Sequence, residues 1–518
     1  MRLMDKVKQS IRSWLNVRAA DPAYFDIVET LDYEGNAIKN RIWYRGDSNE
    51  LQQLYQQMST GVDRYKFWAC TSSPGMEIRK IHTGLPGLIV DMLTAVTLAD
   101  IGEFEIEDGT DREIWANIER ENKFMKSLER AVKETLCIGD GAFKISFDSD
   151  ISDYPILEFY PGDRIDIESK RGRIQEIIFK TCYDYENNRY VLYEHYGYGY
   201  IRNELRRGDE VMPLDSLPQT TGLMDVTFSG YKEDEEGKPK QRGEYMLAVP
   251  LQFYESGRWP ERGQSIFDKK VDNFDSLDEA WSQWMDALRA GRTREYIPEC
   301  FLPRNPKTGE VMKPNAFDNR YIKTDTDMSE GANNKITLEQ PAIPHDSYLA
   351  TYINALDQCL QGIISPSTLG IDVKKLDNAE AQREKEKATL YTRNAIVAAL
   401  ETDLPEVVRS AVRTYRELNG KTSEGCEIKV SIDFGEYANP SFESQVETVA
   451  KAKTGGIMSI EAAVDELYGS SKDETWKKAE VARLKEEQGI VQVEEPHVQT
   501  TAGGFNLEVK TDEGESGE

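Results

Sequence analysis

Residues 367–396 read STLGIDVKKLDNAEAQREKEKATLYTRNAI, and the ten from Asn378 to Lys387 have the composition of a helix with no side on which to pack. Their only apolar members, Ala379 and Ala381, lie about 200° apart around a helix. Charges at i,i+3 attract (Glu380 with Arg383, Arg383 with Glu386, Glu384 with Lys387), while those at i,i+4 repel (Glu380 with Glu384, Arg383 with Lys387), so self-support is near neutral. Such a helix is either a solvated face or borrows its ion pairs from neighbouring chains, and the second option implies an oligomer.

Working outward, Asp377 with Glu380 forms a capping box, and an apolar stripe begins only after Thr389, through Leu390, Val397, Leu400, Leu404, Val408, Val412 and Tyr415. Pro405 marks a kink or a fresh helix start. On the other side, Ser365-Pro366 stops a helix that follows Pro344 and sets Leu349, Tyr352, Ile353, Leu356, Leu360 and Ile363 on one face. Before it comes a Pro- and Asn-rich excursion with short strand-like pieces. Before that, Ser265–Ala290 spaces Phe267, Val271, Phe274, Leu277 or Asp278, Trp281, Met285 and Leu288 by threes and fours, a helix of roughly 38 Å closed by Gly291. Two long helices thus flank a turn-rich insert.

Further upstream, Tyr154 to Leu205 is rich in Ile, Val and Tyr and punctuated by Pro161-Gly162, Arg171-Gly172 and Asn187-Asn188, which predicts an antiparallel meander. Phe124, Leu128, Val132 and Leu136 at helical spacing, then Gly139 and Gly141, then alternation over Ala142 to Phe147, predict a helix turning into a strand. The most apolar run, Leu85 to Ile101, is too short for a bilayer and carries Asp91 and Asp100, so it reads as a buried helix. Lys232 to Gly243 reads as a surface loop. Downstream lie a short strand at Glu427 to Phe434, a helix with Ser459 as N-cap, and another capped by Ser471 and Glu474 and ended by Gly489. The last thirty residues hold seven acids and one lysine and read as disordered.

At 518 residues the chain corresponds to roughly three domains. With 92 acidic against 64 basic residues its formal charge is −28, the wrong sign for a protein that grips phosphates by releasing counterions. Six cysteines scattered without a CxxC, and no signal peptide, predict buried thiols in a reducing cytosol, without disulfides or zinc. The four histidines form no HExxH or HxH arrangement; DTDMSEG (325–331) has Glu330 where a calcium loop needs glycine; GYGYIR lacks the third glycine of a dinucleotide fingerprint; no GxxxxGK[ST] occurs. The expectation is a protein that is not an enzyme, with no cofactor and no catalytic or metal-binding residue.

The order of parts resembles the portal proteins of tailed double-stranded DNA bacteriophages, nearest to those of long-tailed phages infecting Gram-positive bacteria. The resemblance is carried by IGDGAFKISFD, EFYPGDRIDIES with the meander after it, SIFDKKVDNFDSLDEAWSQ, SPSTLGIDVKKLDNAEAQREKEKATLYTR and KTGGIMSIEAAV, in the same order from about Ile78 to Gly489. It implies an α+β portal fold: a wing of helices and antiparallel sheet at 1–263 with an N-terminal arm at 1–20, stem helices at 265–290 and 345–364 flanking a clip at 291–344, and a tunnel loop at 365–378. A long, kinked wing helix at 379–418, a wing strand at 427–434, an α-helical crown at 441–490 and an acidic disordered tail at 491–518 complete it. Residues 1–77 and the tail match nothing in the resemblance.

It further implies a homo-oligomeric ring, dodecameric in the virion, at one capsid vertex, assembled in the host cytoplasm. Through it double-stranded DNA is packaged and ejected, and on it dock the terminase large subunit, a head-completion or adaptor protein, and the major capsid and scaffolding proteins. DNA-facing residues would be Lys374 and Lys375 of the tunnel loop, with Asp372 and Ser367; inter-subunit helix contacts would be Glu380, Arg383, Glu384, Glu386 and Lys387. An alternative comes from the first eighteen residues, which set Met4, Val7, Ile11, Trp14 and Leu15 on one face of a basic amphipathic helix. That reading is an acidic, membrane-associated adaptor without enzymatic activity; the portal reading expects no membrane. Truncating Met1 to Arg18 separates the two. An enzyme with a carboxylate-bound metal is a third class, requiring acids clustered around a pocket.

Overall fold

The structure, a computed structural model, describes residues 31–58, 68, 78–233, 239–291, 294–302, 304–310, 321–325, 335–340, 342–371, 379–420, 428–435, 442–468 and 474–487. Two compact units, Met1–Gly435 and Glu436–Glu518, make up the chain. The arm at 1–20 and the tail at 491–518 lie outside the described residues.

In the first unit, Asp32 opens α1 (Tyr33–Arg45) by accepting the Gly35 N–H at 2.7 Å, and Gly46 closes it. α2 (Ser48–Met58) follows, and the apolar run becomes α3 (Leu85–Leu98). Leu85, Ile89, Val90 and Leu93 are buried there, but Leu88 and Asp91 are exposed, and Asp91 accepts from the Tyr44 hydroxyl at 3.1 Å. After β1 (Glu105–Ile106), Asp108 caps α4 (Gly109–Asn122) through the Thr110 and Asp111 N–H groups. α5 (Phe124–Ile138) buries Phe124, Leu128, Val132 and Leu136, the four positions its spacing marks, each side chain contributing about 1.5–3 kcal/mol of apolar burial.

The chain then enters β2 (Asp140–Ser146), which pairs antiparallel with β3 (Ile156–Pro161). β4 (Ile165–Lys170), β5 (Arg173–Tyr185), β6 (Asn188–Gly197), β7 (Tyr200–Arg207) and β8 (Glu210–Met212) form an antiparallel meander with β9 (Val226–Thr227) added to β7, whereas β3, the first strand of the stretch expected to be one meander, belongs to the separate sheet of β2. The β5–β6 turn lies one residue earlier than Asn187-Asn188: Glu186 and Asn187 take φ of 49° and 63°, the left-handed pair a two-residue hairpin demands, and Asn188 already belongs to β6. The expected surface loop at 232–243 contains a small hairpin of β10 (Lys232–Glu233) and β11 (Pro239–Gln241). β12 (Ala248–Gln252) returns to pair with β2.

One face of the meander carries a charged cluster. Glu176 on β5 is bonded to His195 on β6 and accepts from the Tyr200 hydroxyl at 2.6 Å, with Glu204 3.9 Å from the second histidine nitrogen. The bond to Glu176 raises the His195 pKa above 6.5; burial opposes this, and the fields of Glu176, Glu204 and Glu168 add to it. For Glu176, burial works upward but the bonds from His195 and Tyr200 outweigh it and hold the carboxyl below 4.5. A raised histidine stabilises the fold fully below pH 6.5 and loses that contribution as pH rises through its folded pKa. The lowered glutamate contributes above pH 4.5 and loses its share as pH falls through its own. Stability from the pair therefore peaks between those values, and urea denaturation from pH 4 to 9 should show the alkaline decline in the parent but not in His195→Gln.

α6 (Val271–Ala290) begins six residues later than the expected start at Ser265. Asp268 accepts the Ser265 N–H at 3.0 Å and the Ser265 hydroxyl accepts the Phe267 N–H at 3.1 Å, so side chains hold 265–270 as a turn. Phe267 keeps its buried place from that turn. The ambiguity between Leu277 and Asp278 resolves in favour of both. Asp278 is 3 % exposed and accepts from the Thr83 N–H and hydroxyl, both at 2.9 Å, while meeting His82 at 2.8 Å. With Asp275 accepting the Trp68 N–H and Ser282 the Ile81 N–H, a polar stripe of α6 clasps the backbone of irregular segments.

β13 (Arg294–Pro298) pairs parallel with β14 (Tyr321–Thr324) and antiparallel with β15 (Thr337–Glu339). α7 (His345–Leu360) packs along α6, with Tyr352 against Trp281 and Trp284. It ends at Leu360, short of the expected Ile364, and Gly362 turns the chain at φ 76° while Ile363 and Ile364 stay buried. α8 (Ala379–Leu418) is one helix through Pro405, not two. It packs on α3, α4 and β12 and is buried more widely than its apolar stripe, with Ile396, Val407, Ala411, Ser410 and Thr414 also inside. The strand expected at 427–434 reduces to β16 (Val430–Ser431), paired with β1, plus a bridge from Phe434 to Ile101.

The second unit holds α9 (Phe442–Thr454), α10 (Ile460–Tyr468) and α11 (Glu474–Glu487), successive helices packing on one another. Ser459 caps α10 by accepting the Ala462 N–H at 3.1 Å, as its sequence predicts. Tyr468 meets Trp476 edge-on at 4.9 Å. Ser471 and Gly489 lie outside the described residues.

Candidate functional site: the loop that enters the long helix

Ser365 to Gly370 forms a compact turn, not an open arm. The Leu369 and Ile371 N–H groups both donate to the Pro366 carbonyl, at 3.1 and 3.0 Å, and the Gly370 N–H to Ser367 at 3.0 Å. The turn is fastened to α8 about three turns into the helix. Thr389 is fully buried; its hydroxyl accepts the Ser365 N–H at 2.8 Å and sits 3.0 Å from the Thr368 hydroxyl. Three residues on, the Thr392 hydroxyl donates to the Ile363 carbonyl at 2.7 Å. Arg393, 3 % exposed, donates to the Val96 and Gly435 carbonyls at 3.2 and 2.6 Å, tying α8 to the end of α3 and to the chain beyond β16.

This arrangement sets what the loop can do. Its entry is anchored by neutral hydroxyl bonds to a long helix that is itself fixed in the core, so residues leaving Ile371 start from a defined position. Ser367 is exposed at the turn, its hydroxyl 2.7 Å from that of Ser365. Asp372, Lys374 and Lys375 lie outside the described residues, as does the capping residue Asp377. Glu380, Arg383, Glu384 and Glu386 fall on the backbone of α8, but their side chains lie outside the described ones; Lys387 is exposed. From there an exposed stripe runs through Tyr391, Asn394 and Ala398. Farther along α8, burial pushes the Asp403 carboxyl up to about 7.

Sequence reasoning missed Thr389, Thr392 and Arg393, the residues that hold the loop. Their signal was two threonines three apart where the helix first gains an apolar side, a place where hydroxyls can reach carbonyls and N–H groups of a neighbouring turn. Among the described residues no group of three or more His, Cys, Asp or Glu could hold a metal ion, and no helix is long and apolar enough to cross a membrane. Of the four cysteines described, Cys137 and Cys359 are buried, whereas Cys182 and Cys300 are exposed, so the expectation of mostly buried thiols holds for half of them.

No protein-family model matches the chain, and no curated protein matches it. Among solved structures, it is similar to a chain in the neck of a native gene transfer agent particle computed with C12 symmetry, at 12 % identity and a TM-score of 0.40, covering 74 % of this chain and 89 % of that one. A chain of the virion of a native gene transfer agent particle aligns at 13 % identity and 0.37, covering 72 % and 87 %. One in the neck of an empty particle computed with C6 symmetry aligns at 12 % and 0.37, over the same shares. At such TM-scores the function has to be argued from this chain's own residues.

Proposed function

We propose that this protein is a phage portal subunit, forming with its copies the ring at one capsid vertex through which double-stranded DNA enters and leaves. The observation that carries the reading is the succession α6, small sheet, α7, anchored turn, α8. Two helices pack side by side around an insert, and the chain then passes through a pinned loop into a 40-residue helix. The N-terminal end of that helix carries charges with no apolar face, which supports partners on neighbouring copies.

The insert supports the same reading. Ile336 and Leu338, on one face of the β15 segment, are 57 % and 62 % exposed, and Phe301 is 56 % exposed. Large apolar side chains left exposed on so small an insert are the kind of surface that a neighbouring copy covers. A charge of −28 fits a conduit: an acidic wall repels phosphate and lets a duplex slide, where a basic one would hold it. In this reading Lys374 and Lys375 touch the passing DNA, Glu380 to Lys387 lie between copies, the terminase and a head-completion protein dock on the insert, and the protein catalyses nothing itself. The resemblance points to the long-tailed type.

The purified full chain, examined by light scattering and negative-stain imaging, is expected to give closed rings with a central hole. A uniformly monomeric species at every salt and protein concentration, also in the presence of a scaffolding protein, would overturn the reading.

A further inference from the structure

The open cleft between α8 and β16 is lined by Glu406, Arg409, Arg413, Ile428, Lys429 and Val430 and has a volume of about 410 Å³. Its lining carries three cations against one anion, in a chain whose overall charge is strongly negative. Arg409 and Arg413 stand one turn apart on α8 and so project side by side. Neither guanidinium swings freely. Arg409 donates to the Ile428 carbonyl at 3.1 Å and to Glu406 at 2.6 Å, and Arg413 lies 5.4 Å from the centre of the Tyr245 ring. Lys429 completes the lining and lies 3.0 Å from Glu107. Even with Glu107 counted, the balance stays positive. Ile428 and Val430 are buried in the hydrophobic core, so the cleft borders an apolar interior in which a charge is felt more strongly.

We propose that this cleft binds a compact oxyanion carrying two or more negative charges, of the phosphate or small polycarboxylate class. Two guanidinium groups and an ammonium lining one cleft supply the positive charge and N–H donors that such an ion needs. The volume suits a small ligand. The site lies apart from the loop described above and stands independently of the ring.

The probe is inorganic phosphate, titrated against the full chain at constant ionic strength with chloride as reference, and read by thermal melting. A saturable rise in melting temperature in phosphate but not in chloride is expected. Lys429 is 67 % exposed along its side chain, so Lys429→Gln should melt like the parent without phosphate and bind phosphate at least fivefold more weakly; Arg409→Gln should weaken it further. Should Arg409→Gln fail to fold, Lys429→Glu serves in its place. Equal melting in phosphate and chloride, or an unchanged phosphate response in Lys429→Gln, overturns the proposal. So does stabilisation by duplex DNA without any by phosphate, which would mark a phosphodiester surface instead of an ion site.

Discussion

Asp140→Ala is expected to cost about 3–5 kcal/mol of the first unit's stability. Asp140 is 1 % exposed and accepts four hydrogen bonds: from the Tyr33 hydroxyl at 2.7 Å, from Arg262 Nε and a terminal nitrogen, both at 2.9 Å, and from the Gly263 N–H at 2.7 Å. Arg262 also donates to the Gly162 and Ile165 carbonyls and lies over the Tyr33 ring, 3.8 Å from its centre. One carboxylate thus joins α1, β2, the turn before β4 and the chain leading into α6. Its removal leaves a guanidinium inside without a counter-charge and a backbone N–H without an acceptor. The crossing is also closely packed, since a Cβ on Gly139 would come within 2.4 Å of the Gly263 carbonyl oxygen, so the backbone cannot close over the vacated space. Urea denaturation followed by circular dichroism measures the loss. Pairing Asp140→Ala with Arg262→Met should recover part of it, because the stranded charge goes too; a single-variant loss under 1 kcal/mol would show the network to be dispensable.

The second large effect concerns assembly. Under the proposed ring assembly, Ile336→Asp with Leu338→Asp is expected to convert rings to monomers while leaving the melting temperature of one copy nearly unchanged. Both residues are mostly exposed in a single chain, so their replacement costs the monomer little. In the ring they would be covered, and losing two large apolar side chains removes about 3–6 kcal/mol per interface, a factor of roughly 10²–10⁴ in each association constant. The introduced carboxylates would also be desolvated. Sedimentation velocity on parent and variant reads the outcome directly. Intact rings in the variant would place the contact between copies elsewhere.

Much of the fold was legible in the chain because local patterns report local geometry. Phe124, Leu128, Val132 and Leu136 marked the buried side of α5, the meander followed its turn residues to within one position, and Ser459 capped its helix as predicted. Misreadings arose where a side chain served a distant backbone. Ser265 donates its hydroxyl to the Cys137 carbonyl and sits outside a helix that apolar spacing alone would begin six residues early, while Asp278, which spacing left open against Leu277, is buried because it accepts from Thr83. Pro405 left open a kink or a fresh helix start, and of the two the helix runs on through it, with Leu404, Val407 and Val408 buried around it.

The candidate site divides in the same way. From residue order alone came the loop between two helices, the lysine pair in it and the charged helix start that cannot pack by itself, for these are statements about composition and period. Only the tertiary structure decided that the loop enters through a turn pinned by Thr389 and Thr392, that Arg393 ties the helix to Val96 and Gly435, and that Arg409, Arg413 and Lys429 gather around one cleft. The reason is range: hydrophobic period acts over a few residues, whereas a buried hydroxyl or guanidinium is placed by whichever carbonyl the completed fold brings within 3 Å.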